Sequence, residues 1–335
     1  MPHVLAKPAS SACNLSCDYC FYLDKPNRGR MSLETLRLYV TQYADACQGG
    51  PVDFVWQGGE PTLMGVDFYK EAVALQTAII GPGRFTNSLQ TNATLLGDTW
   101  CQFLAEEDFL VGVSVDGPEP QHEAHRGAWA KTMKGIEQLK AYGVPFNSLT
   151  VVTAENAVDP VGLYHFLSRT VGGQVIQFLP LETSLAPEQY GEFLIAIFDK
   201  WLATDVGIHF VQAFEAALAI WHGYNPGTCE FLETCGDALA IEADGSVYSC
   251  DHYVDAEHRL GDVRSSTIAA MVQSAQQRAF GATKRMPGCA VCKFKRLCYG
   301  GCPKQAQYFC KSFMAFFTHT GPWMAGAQIK ESPDG

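Results

Sequence analysis

The stretch SACNLSCDYCFY, Ser11–Tyr22, places three thiols, Cys13, Cys17 and Cys20, within eight residues of one another. Structural zinc sites and ordinary iron–sulfur clusters take four protein ligands, so three thiols are one short of a closed site. Such a loop either borrows a distant ligand or leaves one metal position open to a substrate. A zinc knuckle or buried structural cysteines are the plainer alternatives for this spacing taken alone.

Composition sets the class of protein. The chain has 335 residues, of which 47% are apolar and 18% charged, as in a compact globular protein. This length predicts one large domain and a smaller one. The formal net charge of −11 argues against a nucleic-acid or anionic-membrane partner, because those partners require clustered Lys and Arg.

The thirteen cysteines are better explained by metal than by disulfides. The N-terminal segment MPHVLAKPAS lacks an apolar leader, and no segment approaches the roughly 18 apolar residues of a membrane span. We therefore expect a cytoplasmic protein, whose thiols stay reduced. Cys47 and Cys101 lie in helical patterns, where each is expected to be a small buried hydrophobe.

Strand and helix patterns alternate through the first two thirds of the chain. Strands are predicted at 3–7, 52–57, 85–92, 111–117, 146–152 and 175–181, and helices at 66–79, 98–107, 131–141, 160–169, 187–204 and 211–222, with a further helix opened by Ser32. This alternation predicts an α/β fold, a partial (β/α)6 TIM-like barrel with its chemistry at the carboxyl ends of the strands.

At Asn225-Pro226-Gly227 the sequence changes from helical patterns to a stretch rich in Cys, Gly and hairpin signals, and we take this point as the domain boundary. Residues 1–225 would form the barrel, and residues 226–335 a small Cys-rich iron–sulfur domain. In the second domain ALAIEADGSVYSC predicts a hairpin about Asp244-Gly245. A module this small and rich in loops would need metal to hold it together.

Polar motifs follow the predicted strands. QGGEPTL, Gln57–Leu63, offers two glycines for close backbone approach to a ligand and the carboxylate of Glu60. Thr91 and Asn92 end the next strand, and SVDGP, which contains Ser114 and Asp116, ends the one after. Each motif alone could equally be a tight turn or a helix cap.

Eight further cysteines lie beyond residue 225, and eight is the number of thiolates that two four-ligand sites require. They are Cys229, Cys235, Cys250, Cys289, Cys292, Cys298, Cys302 and Cys310. Two structural zinc ions are the alternative, because thiolates suit either metal.

The C-x3-C-x2-C spacing resembles the signature of radical S-adenosylmethionine (SAM) enzymes. The likeness extends over nearly the whole chain and is most specific to the anaerobic sulfatase-maturating enzymes, which carry a SPASM-type domain with two auxiliary clusters. The matching segments are KPASSACNLSCDYCFYLDK near the start, CGDALAIEADGSVYSCDHYV (235–254), LGDV (260–263), QRAFGATK (277–284), CYGGCPK (298–304) and FFTHTGPWM (316–324).

This resemblance implies an enzyme, a radical SAM oxidoreductase that uses S-adenosylmethionine and three [4Fe-4S] clusters. It would oxidise a Cys or Ser of a sulfatase to Cα-formylglycine by abstracting a hydrogen from Cβ. The implied partners are an unfolded or nascent sulfatase segment of the form C/S-x-P-x-R and a reducing flavodoxin or ferredoxin.

The resemblance also assigns residues. Cys13, Cys17 and Cys20 would hold the SAM-binding cluster, with cofactor contacts from Tyr19, Gly58, Gly59, Glu60, Ser114 and Arg126. Arg126 could instead lie in the substrate channel. Asp251 would be the catalytic base for the substrate thiol or hydroxyl, and Tyr22 and Gln57 would line the peptide channel. A carboxylate that merely orients His252 is the alternative for Asp251, and plain packing is the alternative for Tyr22 and Gln57.

The eight C-terminal thiols would divide between the two auxiliary clusters. Cys229, Cys235, Cys250 and Cys302 would hold the first cluster, and Cys289, Cys292, Cys298 and Cys310 the second. The chain is shorter than the family pattern between Leu181 and Pro187 and between Cys302 and Cys310. The second shortening puts Cys310 in question as a ligand, although seven residues can span a cluster edge.

Two other functions stay open. A related maturase could use the same apparatus to form a thioether or another crosslink on a ribosomal peptide. A non-enzymatic iron–sulfur electron carrier or a zinc scaffold belongs to a different class, although it would have no use for cofactor motifs at strand ends.

Overall fold

The computed structural model describes residues 2–235, 238–284, 287–305 and 307–327. The strands are β1 His3–Lys7, β2 Val52–Trp56, β3 Phe85–Thr91, β4 Leu110–Ser114, β5 Phe146–Val152, β6 Val175–Pro180, β7 Phe210–Val211, β8 Ala238–Glu242, β9 Ser246–Tyr248 and β10 Arg259–Asp262. The helices are α1 Leu33–Ala46, α2 Val66–Ile80, α3 Asp98–Glu106, α4 Glu119–His125, α5 Trp129–Ala141, α6 Pro160–His165, α7 Gln189–Thr204, α8 Gln212–Trp221, α9 Ile268–Val272, α10 Ala275–Gly281, α11 Lys295–Cys298 and α12 Cys310–Gly326.

The chain forms two compact units. Unit 1 comprises Met1–Thr150, Phe166–Ile176 and Gly236–Ala282, and unit 2 comprises Val151–His165, Gln177–Cys235 and Thr283–Gly335. The units divide the chain at places other than residue 225, so the predicted boundary between domains 1–225 and 226–335 stays a prediction.

Unit 1 is built on a parallel sheet in which β1 to β5 lie side by side in chain order. Helices follow each of the first four strands, as the alternating pattern predicted. Helix α1 begins where the Ser32 hydroxyl accepts a hydrogen bond from the backbone N–H of Thr35. The predicted α/β class with a parallel sheet is confirmed.

The face of the sheet beneath α1 and α2 is packed with aromatic side chains. Tyr39, Phe54, Trp56 and Tyr69 are fully buried; Tyr39 meets Phe54 and Trp56 edge to face, as Trp56 meets Tyr69, while Phe54 stacks on Trp56. Aromatic rings bury large apolar areas and favour this geometry. The cluster holds β2 firmly in place, and the QGGEP turn leaves the carboxyl end of that strand.

The predicted hairpin about Asp244-Gly245 is present, with β8 and β9 antiparallel. In addition, β8 pairs with β1 in parallel, and the last residues of the two strands, Lys7 and Glu242, stand in register. The local sequence pattern gave no sign of this pairing. It places the chain that leads to Cys250 and Asp251 beside the strand that leads to the three-thiol loop.

Unit 2 has an aromatic core of its own, where α12 packs against α7. Phe198 and Trp201 of α7 contact Trp323 of α12, and Phe214 of α8 stacks on Phe316. The two segments that the resemblance predicts to be shortened meet here. The Tyr308 hydroxyl donates to the Leu185 carbonyl at 2.8 Å, and the Gln305 side chain donates to the Pro180 carbonyl at 3.1 Å.

One predicted helix ends early. The pattern predicted a helix over 160–169, whereas α6 stops at His165 and Phe166–Val171 continues as a wider, π-helical turn. Among the described residues, no helix is long and apolar enough to cross a membrane.

Candidate active site and cofactor-binding residues

The three thiols of the N-terminal loop lie together at the carboxyl end of β1. Tight turns shape the loop, with the Cys20 N–H donating to the Cys17 carbonyl at 3.1 Å and the Leu23 N–H donating to the Cys20 carbonyl at 3.2 Å. Burial raises the pKa of all three thiols, and for Cys13 and Cys17 the neighbouring thiols raise it further. A metal that binds thiolates would relieve this repulsion and release the protons.

The glycines of the QGGEP turn seat this loop. The Gly59 N–H donates to the Ser10 carbonyl at 2.7 Å, and the Glu60 N–H donates to the Ala12 carbonyl at 2.8 Å. A Cβ on Gly59 would lie 2.1 Å from the Ala12 oxygen. The close approach that the sequence predicted at Gly58 and Gly59 is therefore made to the thiol loop itself. Their contact with the cofactor stays a prediction.

Glu60 is buried and ties the ends of β2 and β3 together. Its Oε1 accepts from the Thr62 N–H at 3.0 Å, the Thr62 hydroxyl at 2.6 Å and the Thr91 hydroxyl at 2.7 Å. Its Oε2 accepts from the Asn92 N–H at 2.8 Å. Burial raises the pKa of Glu60, and these hydrogen bonds oppose the rise. The carboxylate is thus fixed in orientation at the predicted cofactor site.

Asp116 accepts hydrogen bonds from two residues that the resemblance assigned to the cofactor. The Tyr19 hydroxyl donates to its Oδ2, and so does the Arg126 Nε at 2.7 Å. The Arg126 guanidinium also lies 5.3 Å from the centre of the Tyr19 ring. Asp116 is fully buried, and the sequence reasoning noted it at a strand end without giving it this role. Ser114, the predicted ribose contact, ends β4 two residues earlier and is nearly buried.

The Asp251 carboxylate meets Gln57. The Gln57 amide donates to Asp251 Oδ2 at 3.5 Å, and the Cys250 thiol donates to Oδ1 at 3.5 Å. Burial alone would raise the pKa of Asp251, but nearby His252 and Lys7 and the Cys250 hydrogen bond hold it below its usual value. The carboxylate is therefore ionised at neutral pH, as a general base must be.

Lys7 is a member of this group that the sequence reasoning missed. It is 1% exposed, and its ammonium lies 4.2 Å from the centre of the Tyr22 ring, itself 2% exposed. Burial lowers the pKa of Lys7, and the charges of Asp251 and Glu242 oppose that effect. The available signal was a lone lysine that ends an apolar strand directly before the thiol loop.

The second auxiliary group lies within unit 2. Burial raises the pKa of Cys298 to about 11, with smaller contributions from the neighbouring thiols of Cys289, Cys292 and Cys310. Cys310 therefore accompanies the three thiols with which it was predicted to act, despite the shortened segment before it. As ligands, all four remain predictions.

Three of the four thiols predicted for the first auxiliary cluster also gather in unit 2. Burial raises the pKa of Cys302 to about 11, with smaller contributions from Cys229 and Cys235. The buried ammonium of Lys284 holds the loop there, donating to the carbonyls of Cys229, Glu230 and Leu232 at 2.6 to 2.7 Å. The fourth predicted ligand, Cys250, belongs to unit 1.

The donor sets fit iron–sulfur clusters. None of the thirteen cysteines, all of which the structure describes, is in a disulfide, and Cys47 and Cys101 are buried as predicted, away from the spaced groups. Across the described ranges, no three His, Cys, Asp or Glu side chains are spaced to hold a single metal ion. The three thiols of the N-terminal loop match the ligand count of an open cluster, and the four thiols of the second auxiliary group match that of a closed one.

Comparison with known proteins decides the family. The family model described as the Radical SAM superfamily matches residues 8–167, and the one described as an iron–sulfur cluster-binding domain, SPASM, matches residues 229–293. A serine-type anaerobic sulfatase-maturating enzyme of Bacteroides thetaiotaomicron is 36% identical over 96% of this chain and 90% of its own length. The chain belongs to the anaerobic sulfatase-maturating enzymes.

Cysteine-type members of the sulfatase-maturating enzymes are similar as well. One from Clostridium novyi is 33% identical over 94% of each chain. A solved structure described as native anSMEcpe with bound AdoMet and Cp18Cys peptide superposes with a TM-score of 0.90 at 32% identity, covering 97% of this chain and 98% of that one. The predicted family and the predicted radical SAM and Cys-rich domains are confirmed. The two family models imply S-adenosylmethionine with a [4Fe-4S] cluster and auxiliary clusters.

Proposed function

We propose that this chain oxidises a Cys or Ser side chain of a sulfatase to Cα-formylglycine. The observation that carries the proposal is the meeting of Gln57 and Asp251 at the strand ends that also hold the three-thiol loop. This arrangement offers an ionised base beside the place where an open cluster would bind S-adenosylmethionine. Curated relatives named for both serine-type and cysteine-type maturation support the same chemistry.

The cofactors and the residues of the chain have separate roles in this reaction. When bound, the clusters and S-adenosylmethionine supply the radical that removes hydrogen from Cβ and the oxidant that accepts the substrate electron. Cys13, Cys17 and Cys20 hold the SAM-binding cluster. The cofactor contacts come from Tyr19, Gly58, Gly59, Glu60, Ser114 and Arg126.

Asp251 takes the proton from the substrate hydroxyl or thiol. The Gln57 amide orients its carboxylate, and the depressed pKa keeps it ionised and able to accept a proton. Tyr22 and Gln57 line the approach of an extended peptide. The resulting aldehyde forms directly from Ser, and from Cys after the sulfur is exchanged for oxygen by water.

The eight C-terminal thiols hold two auxiliary clusters, with Cys229, Cys235, Cys250 and Cys302 at one and Cys289, Cys292, Cys298 and Cys310 at the other. Residues 1–225 form the radical SAM domain and residues 226–335 the auxiliary-cluster domain. The lack of disulfides among the described cysteines suits the reducing cytoplasm.

The substrate is a sulfatase segment of the form C/S-x-P-x-R, and a flavodoxin or ferredoxin supplies reducing electrons. The solved relative with bound AdoMet and a Cp18Cys peptide supports a peptide substrate.

The experiment is an anaerobic assay of the iron-reconstituted protein with S-adenosylmethionine, dithionite and a short C-x-P-x-R sulfatase peptide, read by mass spectrometry. The proposal predicts formylglycine together with 5′-deoxyadenosine. A product that loses two hydrogens without exchange of sulfur for oxygen would instead indicate a crosslinking maturase. An intact cofactor under strong reductant would indicate an electron carrier or scaffold.

A further inference from the structure

The charge of the chain is distributed unevenly along its sequence. Residues 263–330 contain ten of the 24 Lys and Arg and none of the 35 Asp and Glu, although the whole chain carries a net charge of −11. This segment includes the four thiols predicted for the second auxiliary cluster. An excess of one sign of charge around a site attracts partners of the opposite sign and speeds their association. The segment is therefore suited to an acidic partner.

Part of this positive charge is exposed directly beside the thiols. Lys293, Lys295, Arg296 and Lys304 lie between the thiols in sequence, and all four are exposed. Burial raises the pKa of Cys289, and the ammonium of Lys295 opposes the rise, so this charge lies close to the thiols. Among the described residues, Lys293, Lys295 and Arg296 form no ion pair. Their charges thus face solvent without a carboxylate to offset them.

An apolar side chain belongs to the same surface. Val291, two residues before Lys293 and between Cys289 and Cys292, is 94% exposed. Protein interfaces combine apolar residues with a polar and charged rim. Cys310 is exposed, and Cys289 and Cys292 are half-buried, so the thiols themselves reach the protein surface here.

We propose that this basic surface, formed by Val291, Lys293, Lys295, Arg296 and Lys304, docks an acidic one-electron carrier of the flavodoxin or ferredoxin type. The inference rests on the proposed function for the source of the electron, which is the substrate electron that the auxiliary site receives. In the docked complex the oxidised carrier is reduced by one electron and the auxiliary site is oxidised by one electron. No bond forms or breaks on the enzyme, and any proton that the reduced carrier binds comes from solvent.

The four thiols beside the basic surface decide the class of partner. A nucleic acid or an anionic membrane would also attract exposed cations, but neither exchanges electrons with a redox centre. An electron carrier must dock and leave at each transfer, and such transient complexes have small interfaces, below about 1,200 Å². Four charged side chains around one apolar residue suit a contact of that size.

The first test measures docking directly, without peptide or S-adenosylmethionine. The iron-reconstituted chain is titrated with an oxidised bacterial flavodoxin at about 0.05 M and at about 0.5 M salt. We expect the affinity to fall by about 10-fold or more at the higher salt, because screening weakens attraction between exposed charges. Carbodiimide, which joins carboxylates to adjacent amines, should crosslink the flavodoxin to Lys293, Lys295 or Lys304, as identified by mass spectrometry of the digested complex.

The second test compares two variants with the same change in net charge. The basic-surface variant and a control variant at exposed positions of unit 1 each reverse three charges, respectively Lys293→Glu, Lys295→Glu and Arg296→Glu, and Lys70→Glu, Lys131→Glu and Lys134→Glu. The basic-surface variant should reduce flavodoxin about 10- to 100-fold more slowly than the unaltered chain after reduction by dithionite, and the control should be much less affected. Iron content is measured for both. If the basic-surface variant fails to load iron, a variant with Lys293→Gln and Lys295→Gln takes its place.

Several outcomes would overturn the inference. They are affinity that does not depend on salt, an equal loss in the two variants, and crosslinks confined to lysines outside the basic surface. Binding of duplex DNA or phosphatidylserine vesicles that the basic-surface variant loses while it keeps flavodoxin binding would assign the surface to another class of partner. Formylglycine is assayed separately, so docking without formylglycine would support the basic surface and reject the proposed reaction, and formylglycine without docking would do the reverse.

Discussion

Asp251 shows how a single residue takes its chemistry from contacts that lie far apart in sequence. Its ionisation depends on His252 next to it, on Lys7 and on the Cys250 thiol, and its orientation depends on Gln57. The resemblance to known maturases led directly to Asp251, Gln57 and Tyr22. Lys7 and Asp116 were missed because their roles depend on a strand pairing and on contacts of Asp116 with Tyr19 and Arg126, which no local motif records.

Replacement of Asp251 by Asn should separate cofactor cleavage from peptide oxidation. The amide keeps the shape of the side chain but cannot accept the substrate proton, so formylglycine should fall by about 100-fold or more while 5′-deoxyadenosine is still formed. Product and 5′-deoxyadenosine are measured on the same samples. The exposed carboxylate Asp67, changed to Asn, is the control. An equal loss of both products would reject Asp251 as the substrate base.

At the scale of elements, the sequence pattern was most reliable where a strand or helix has its own periodicity. β1 and β5 have their predicted bounds, and β2, β3 and α3 end one residue earlier than predicted. The parallel pairing of β8 with β1 was not predictable, because nothing local in ALAIEADGSVYSC specifies a partner more than two hundred residues away.

The fit between the QGGEP turn and the thiol loop depends on Gly59. In Gly59→Ala the new Cβ would lie 2.1 Å from a backbone oxygen of Ala12, which has no side-chain freedom to yield. We expect the free energy of unfolding to fall by about 3 kcal/mol and the SAM-binding cluster to assemble poorly. Denaturant unfolding and the visible absorbance of the reconstituted protein measure the two effects.

Gly97→Ala is the matched control, because Gly97 has φ of −133° and no atoms within 4 Å of an added Cβ. It should load iron like the unaltered chain and lose no more than about 1 kcal/mol of stability, because alanine is a poorer N-cap of α3 than glycine. If Gly59→Ala did the same, the turn would not be what seats the loop.

At the scale of the molecule, the predicted fold class is confirmed, whereas its division into parts was harder to foresee. The sequence suggested a Cys-rich module with little core, but unit 2 joins the auxiliary thiols to an aromatic cluster on α7, α8 and α12. Aromatic residues spaced along separate helices give no sign of which helices will meet. We expect bound clusters to stabilise the thiol segments, and aromatic packing to stabilise the helices.

Removal of iron should affect these two parts of unit 2 differently. The segment 289–305 contains only short helical turns, and cluster binding would supply much of its stability. Anaerobic chelation should speed amide hydrogen exchange there, while the buried face of α12 around Phe316 stays protected. Uniform exchange throughout unit 2 after chelation would show that the aromatic core also depends on metal.

In the proposed reaction a hydrogen atom leaves Cβ of a sulfatase Cys or Ser within the group formed by the thiol loop, Gln57 and Asp251. The most direct measurement uses a sulfatase peptide with both Cβ hydrogens replaced by deuterium, and reads the isotope content of both products by mass spectrometry. We expect 5′-deoxyadenosine carrying one deuterium for each formylglycine formed. Formylglycine accompanied by unlabelled 5′-deoxyadenosine, or labelled cofactor product with a peptide still unoxidised, would contradict it.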